Sequence, residues 1–167
     1  FMIKLIFFDL DGVLIEAKKI HYDSLNDALP DIYKITWEEH LSKYDGLKTN
    51  DKLNLLNLEK NLKKIDFKKI WKQKQINTLK QIKKIQKSEN ILSVFKKMSN
   101  EYKIAVCSNS IKRTVLTALS KLEIIEYIDL IISNEDVNVS KPHPEIYWKA
   151  MSFFGVMPEE TIIYEDS

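Results

Sequence analysis

The stretch Phe1-Met-Ile-Lys-Leu-Ile-Phe-Phe8, running directly into Asp9-Leu-Asp11-Gly12-Val13, decides how the rest of the chain is read. An apolar run of this length, ended by a glycine turn, predicts a strand buried on both faces, as in a parallel sheet. Ligands of such sheets gather at the carboxyl ends of the strands. Asp9 and Asp11 therefore stand where chemistry is expected. Two carboxylates one residue apart in a tight turn repel each other unless a proton or a cation lies between them. A divalent metal resolves the conflict most simply.

Composition bounds what else the chain can be. At 167 residues it suits one domain, or a core with an inserted subdomain. It is 44% hydrophobic and 30% charged, the balance of a soluble globular protein, and no apolar run approaches a membrane span. The opening run carries Lys4 and leads into acids rather than a small-residue cleavage site, so no signal peptide is read and a cytoplasmic location is expected. The single cysteine, Cys107, has no partner for a disulfide or a zinc knuckle, and on a buried strand it reads as an inert hydrophobe. Residues 16–100 hold 19 lysines against 11 acids, yet these interleave with apolar positions at helical spacing and read as solvated helix faces. Arg113 is the only arginine, which removes most bidentate recognition of phosphate or guanine; neither a nucleic-acid nor a membrane partner is expected. A monomer is expected.

After the first loop the pattern is helical to about residue 100. Helices are expected over 17–29, from the capping box Thr36-Trp-Glu-Glu39 to about Gly46, from Thr49, and over 66–86, where Ile70, Trp71, Ile76, Leu79, Ile82 and Ile85 mark the apolar face. Trp37, Trp71 and Trp148 are assigned to the core; His40 and His143 are assigned structural roles. From Ser88 helix and strand alternate: a helix to about Ser99, a strand Tyr102–Cys107, a helix Arg113–Leu122, a strand Ile128–Ile132, a helix opening at Pro144 and closing at Gly155, and a strand Thr161–Tyr164. The fold class is thus α/β, a doubly wound parallel sheet in residues 1–15 and 88–167, with an α-helical cap inserted at 16–87. A sheet that ends on its fourth strand with no covering helix reads as truncated, and the natural chain is expected to continue past Ser167.

Four strand ends present Asp9 and Asp11, then Ser108, then Lys141 ahead of a helix, then Glu165 and Asp166. This is the set that phosphoryl transfer requires. A carboxylate can attack phosphorus and form an acyl phosphate, and Asp9 is the candidate nucleophile. Asp11 can protonate the leaving oxygen and later activate water. Charge spread over the phosphoryl oxygens is matched by a hydroxyl, an ammonium and a metal, which points to Ser108, Lys141 and Mg2+, with Asn109 beside Ser108 in the phosphate-binding loop. Magnesium prefers oxygen ligands, which fits Asp9, the backbone carbonyl of Asp11, and Asp166, with Glu165 as a direct or water-mediated contact.

These motifs resemble those of the haloacid dehalogenase superfamily, in the branch with a small helical cap after the first motif. Asp9-Leu-Asp11-Gly12-Val13 is similar to the first motif and Val106-Cys-Ser108-Asn109-Ser110 to the second. Ser140-Lys141-Pro142-His-Pro144-Glu145-Ile-Tyr is similar to the third, and Glu165-Asp166-Ser167 to the fourth. The resemblance implies a Rossmann-like core and magnesium-dependent transfer of a phosphoryl group from a small organic phosphate through an aspartyl-phosphate. Within it the chain is most similar to the β-phosphoglucomutase-like group. His21 stands where that group carries a histidine near the start of the cap, and Asp45-Gly46-Leu47-Lys48-Thr49-Asn50-Asp51-Lys52-Leu53 resembles its cap substrate loop. Lys48 and Thr49 are the cap candidates there. The arginine found in true mutases is missing, which favours a phosphatase over a sugar phosphomutase. A non-catalytic phosphate-binding or signalling module, of the receiver type, also combines acids, a hydroxyl and a lysine, but lacks a long helical insertion. An inactive fragment is the remaining alternative.

Overall fold

The computed structural model describes residues 2–166; Phe1 of the opening run and Ser167 of the fourth motif lie outside the described residues. The chain divides into two compact units, one formed by residues up to Ile15 together with those from Ile85 onward, the other by Glu16–Lys84.

The first unit is built on four parallel strands, β1 (Leu5–Phe8), β2 (Lys103–Cys107), β3 (Leu130–Ile132) and β4 (Thr161–Tyr164), in the order β3-β2-β1-β4. Every residue of β1 is buried, as a central parallel strand requires. Its register sets Phe7 against Ala105 and Ile163, and Phe8 against Val106 and Tyr164. Alternation then sorts side chains to two faces. Leu5, Phe7, Ala105 and Cys107 pack with Ile132 and with Ile146 and Ala150 of α7 (Glu145–Phe154). Phe8 meets Phe95 of α5 (Glu89–Met98), their ring centroids 4.8 Å apart, and stacks on Tyr164 at 5.1 Å. Helices thus cover both faces. Ser88 caps α5 by accepting a bond from the Ile91 amide at 3.4 Å, and α6 (Lys112–Lys121) follows β2. Gly155 ends α7 in the left-handed region at φ +64°, a conformation in which a Cβ is strained. Strand β4 pairs with β1 alone among the described residues, and Ile162, Ile163 and Tyr164 are 38–49% exposed.

The second unit is wholly helical: α1 (Lys18–Asn26), α2 (Trp37–Glu39), α3 (Thr49–Lys60) and α4 (Phe67–Ile82). The capping box at Thr36 is formed, with Thr36 accepting from the Glu39 amide and Glu39 accepting from the Thr36 amide. The helix it starts continues as a π-helix over His40–Tyr44 rather than as regular α-helix. Leu25, Leu29, Ile35, Tyr44, Leu53, Leu56, Leu62 and Ile70 form this unit's own core.

Three expectations are corrected here. Trp37 and Trp148 are 40% and 56% exposed, so only Trp71 packs against a core. The sheet-facing stripe of α7 runs through Ile146 and Ala150, and Trp148, two residues from either, projects to the opposite side, edge-on to His143. The buried stripe of α4 is Ile70, Lys74, Gln75, Thr78 and Ile82, while Ile76 is 40% exposed. Hydrogen bonds make that polar stripe tolerable: Lys74 Nζ lies 3.2 Å from His21 Nδ1, Gln75 donates to Thr49 Oγ1 at 3.0 Å, and Thr78 donates to the Lys74 carbonyl at 2.9 Å. Lys52 and Lys74 are accordingly buried, not part of a solvated face.

Candidate active site

Parallel strands in register deliver their carboxyl ends to one edge, and the segments leaving that edge carry the polar residues. The Asp9 amide donates to the Tyr164 carbonyl at 3.0 Å and the Ser108 amide to that of Ile132, also at 3.0 Å, so each strand-to-loop transition is tied to its neighbour. The loop after β1 folds tightly on itself, with Gly12 donating to Ile15 at 2.8 Å and Leu14 to Leu10 at 2.9 Å. Gly12 sits at φ +81°, and a Cβ there would overlap the carboxylate of Asp166. The first and fourth motifs therefore touch at a position only glycine fits.

Lys141 lies at the centre of the cluster. Its Nζ reaches Asp9 Oδ1 at 3.0 Å, Glu165 Oε1 at 2.5 Å and the Cys107 carbonyl at 3.2 Å, three acceptors for three N–H groups. The peptide Lys141-Pro142 is cis. Asp9 is 8% exposed, and its Oδ1 also accepts from the Leu10 amide at 2.7 Å. Burial pushes the Asp9 carboxyl up to about 7; Lys141 opposes this and a hydrogen bond with Glu165 reinforces it. Burial works the same way on Glu165, but bonds from Lys141 and Tyr147 outweigh it and hold that group below the usual carboxylate range. Burial acts to lower Lys141, yet Asp9 and Glu165 together raise it. Tyr147 donates its hydroxyl to Glu165 Oε1.

The second motif supplies hydroxyls and an amide. Ser108 is fully buried, and its Oγ accepts from the Ser110 amide at 3.1 Å. Ser110 Oγ donates to Asp11 Oδ2 at 3.2 Å. Asn109, expected beside the phosphate, clamps the Lys141 backbone: Nδ2 donates to the Lys141 carbonyl and Oδ1 accepts from the Lys141 amide, both at 3.0 Å. Cys107 is buried, and burial pushes its thiol up to about 12, which disfavours the nucleophilic thiolate.

Asp9, Glu165 and Asp166 bring one carboxylate oxygen each within 4.8 Å of one another. Three carboxylate oxygens converging from a buried Asp9, a half-buried Glu165 and an exposed Asp166 are the donor set of a hard divalent cation such as magnesium, so the residues fit the expected ion. The Asp11 side chain is outside this trio. His21, Lys48 and Thr49 belong to the helical unit. His21 and Thr49 are buried against Lys74 and Gln75, and Lys48 is the extended residue that precedes the first turn of α3.

Ser110 and Tyr147 join the cluster without having been singled out by sequence. Ser110 carried a faint signal, a hydroxyl two residues past Ser108 in the second motif; Tyr147 closes the third-motif stretch, but its position on the apolar face of α7 reads as core. No described helix is long and apolar enough to cross a membrane.

A 24%-identical relative, the phosphorylated carbohydrates phosphatase of Thermotoga maritima, aligns over 97% of this chain and 76% of its own length. Pyrophosphatase PpaX of Bacillus cereus is 25% identical over 99% of this chain and 75% of its own. Among solved structures, β-phosphoglucomutase of Clostridium difficile superposes with a TM-score of 0.84 at 24% identity, covering 99% of this chain and 77% of that one, a likeness of fold. The sequence profile described as haloacid dehalogenase-like hydrolase matches residues 6–167, which takes in all four strand ends and the helical insertion. On that match, and with its acids, lysine and serine gathered at one sheet edge, the chain belongs to the haloacid dehalogenase-like hydrolases.

Proposed function

We propose that this protein is a magnesium-dependent phosphatase that hydrolyses a small phosphorylated metabolite, a sugar phosphate or a compound like it, through an aspartyl-phosphate on Asp9. The observation that carries the reading is the buried contact of Lys141 with Asp9 at 3.0 Å beside the three-carboxylate cluster. A nucleophilic acid, a cation for the phosphoryl oxygens and a metal-binding set meet there.

In the first step an Asp9 carboxylate oxygen bonds to phosphorus as the bond to the leaving alcohol breaks, and Asp11 gives its proton to the departing oxygen. In the second, Asp11 takes a proton from water, the water oxygen attacks phosphorus, and the bond to Asp9 breaks to release orthophosphate. Lys141 favours the ionised, attacking form of Asp9 and meets charge on the phosphoryl oxygens together with the Ser108 hydroxyl. Ser110 holds Asp11 through its 3.2 Å bond, and Asn109 holds the Lys141 backbone. Asp9, Asp166 and Glu165, with the Asp11 carbonyl, would hold magnesium, which when bound supplies positive charge against the phosphoryl group. Substrate choice is assigned to the helical unit, with His21, Lys48 and Thr49 as its candidates.

The test is a phosphate-release screen over sugar phosphates, nucleotides and small organic phosphates with Mg2+. Multiple-turnover release from at least one compound is expected. Interconversion of hexose phosphates without release would replace this reading by a mutase. Stable phosphorylation of Asp9 without turnover would replace it by a signalling module.

A further inference from the structure

Tyr147 touches the acid–lysine cluster yet has no part in the proposed steps. Its ring is already accounted for: it packs against the α7 face of the sheet, edge-on to Phe7 with centroids 5.2 Å apart. A phenylalanine would fill that space equally well. The hydroxyl adds the cost of taking a polar group out of water, and its compensation is the bond it donates to Glu165 Oε1. Oε1 of Glu165 is also the oxygen that Lys141 reaches at 2.5 Å. Two donors from different elements converge on one oxygen, and Lys141 in turn reaches Asp9.

We infer that the Tyr147 hydroxyl is a positioning group for the site: it pins Glu165, and through Glu165 it fixes both the metal-binding carboxylates and the reach of Lys141 to Asp9. The inference rests on the phosphatase reading for its kinetic consequence. Its binding consequence is independent of that reading. Without the hydroxyl, Glu165 loses its tie to α7, and it can shift together with Lys141 relative to Asp9.

The test is Tyr147→Phe in the full chain, with thermal unfolding to establish that the variant is folded. Calorimetric titration with Mg2+ is expected to show affinity weakened about tenfold, and kcat on an aryl phosphate to fall by a similar factor with KM within about twofold. In a Glu165→Ala background the same change is expected to have no further effect on Mg2+ affinity, since the hydroxyl acts through that carboxylate. Equal Mg2+ affinity in wild type and Tyr147→Phe overturns the inference, as does an undiminished effect in the Glu165→Ala background. A wild type that turns over nothing while Tyr147→Phe still weakens Mg2+ binding overturns the phosphatase reading and supports the pinning of Glu165.

Discussion

Asn109 uses both ends of its carboxamide on the backbone of Lys141, at 3.0 Å each, and so sets where that lysine starts before its side chain reaches the acids. Its own carbonyl is tied by Asn134 Nδ2 at 2.8 Å, which links the loops after β2 and β3. Asn26 makes the same two-ended clamp on Ile35 in the helical unit, at 2.9 and 3.0 Å. Each such clamp satisfies a donor and an acceptor that a loop would otherwise leave to water. Replacing Asn109 by alanine is expected to lower stability by about 1–2 kcal/mol in urea unfolding, the worth of two modest hydrogen bonds. It is also expected to cut kcat/KM about tenfold through a misplaced Lys141. Stability falling with kcat/KM unchanged would separate the clamp from the site. The amide was legible in the sequence as a polar group next to Ser108. Which partner it would choose was not, because that depends on where a loop 32 residues away returns.

Among the elements, α4 and the π-helix His40–Tyr44 departed furthest from the sequence pattern, and for one reason. Hydropathy ranks side chains by their cost of burial in isolation, whereas these segments bury polar groups, of which Lys74, Gln75 and Tyr44 find partners across the unit. The strands, α5 and α7 were legible because their inward positions are apolar and period alone sorts them. His40 shows the consequence. Its side chain is fully buried, and burial, with Lys52 and His21 nearby and with Asp45 and a hydrogen bond to the Lys18 backbone opposing them, pushes its imidazole down to about 4. The unfolded chain takes up the proton near the ordinary value of about 6.5, so between there and 4 the unfolded state binds more protons. His40 therefore contributes full stability above about pH 6.5, and that contribution is lost as pH falls toward 4, on the order of 3 kcal/mol in all. Urea unfolding at pH 7 and pH 4.5 is expected to show a smaller loss in His40→Asn than in wild type; equal losses would mean that His40 is not held neutral.

Across the whole molecule, two compact units with separate cores share one chain: a sheet core around Phe7 and Ile146 and a helical core around Tyr44, Leu53 and Leu56. Leu53→Ala opens a cavity in the second and is expected to cost about 2–5 kcal/mol. Hydrogen exchange is expected to quicken at amides of α1, α3 and α4 while those of β1 and β2 stay protected; uniform loss would show a single cooperative core. The two-part plan was readable in the sequence because an apolar strand breaks into a long helical stretch before alternation begins. The gathering of Asp9, Ser108, Lys141 and Glu165 followed from parallel strands, since these direct every carboxyl end to one edge. The second tier of Ser110, Asn109 and Tyr147 did not follow, because hydrogen bonds between loops leave no periodic trace. The central claim is that Asp9 is the group that accepts phosphorus, and Asp9→Asn tests it most directly. With Mg2+ and an aryl phosphate, the account predicts that turnover drops at least about a thousandfold while the thermal transition remains cooperative. Turnover retained within about tenfold of wild type by a folded Asp9→Asn protein would contradict it.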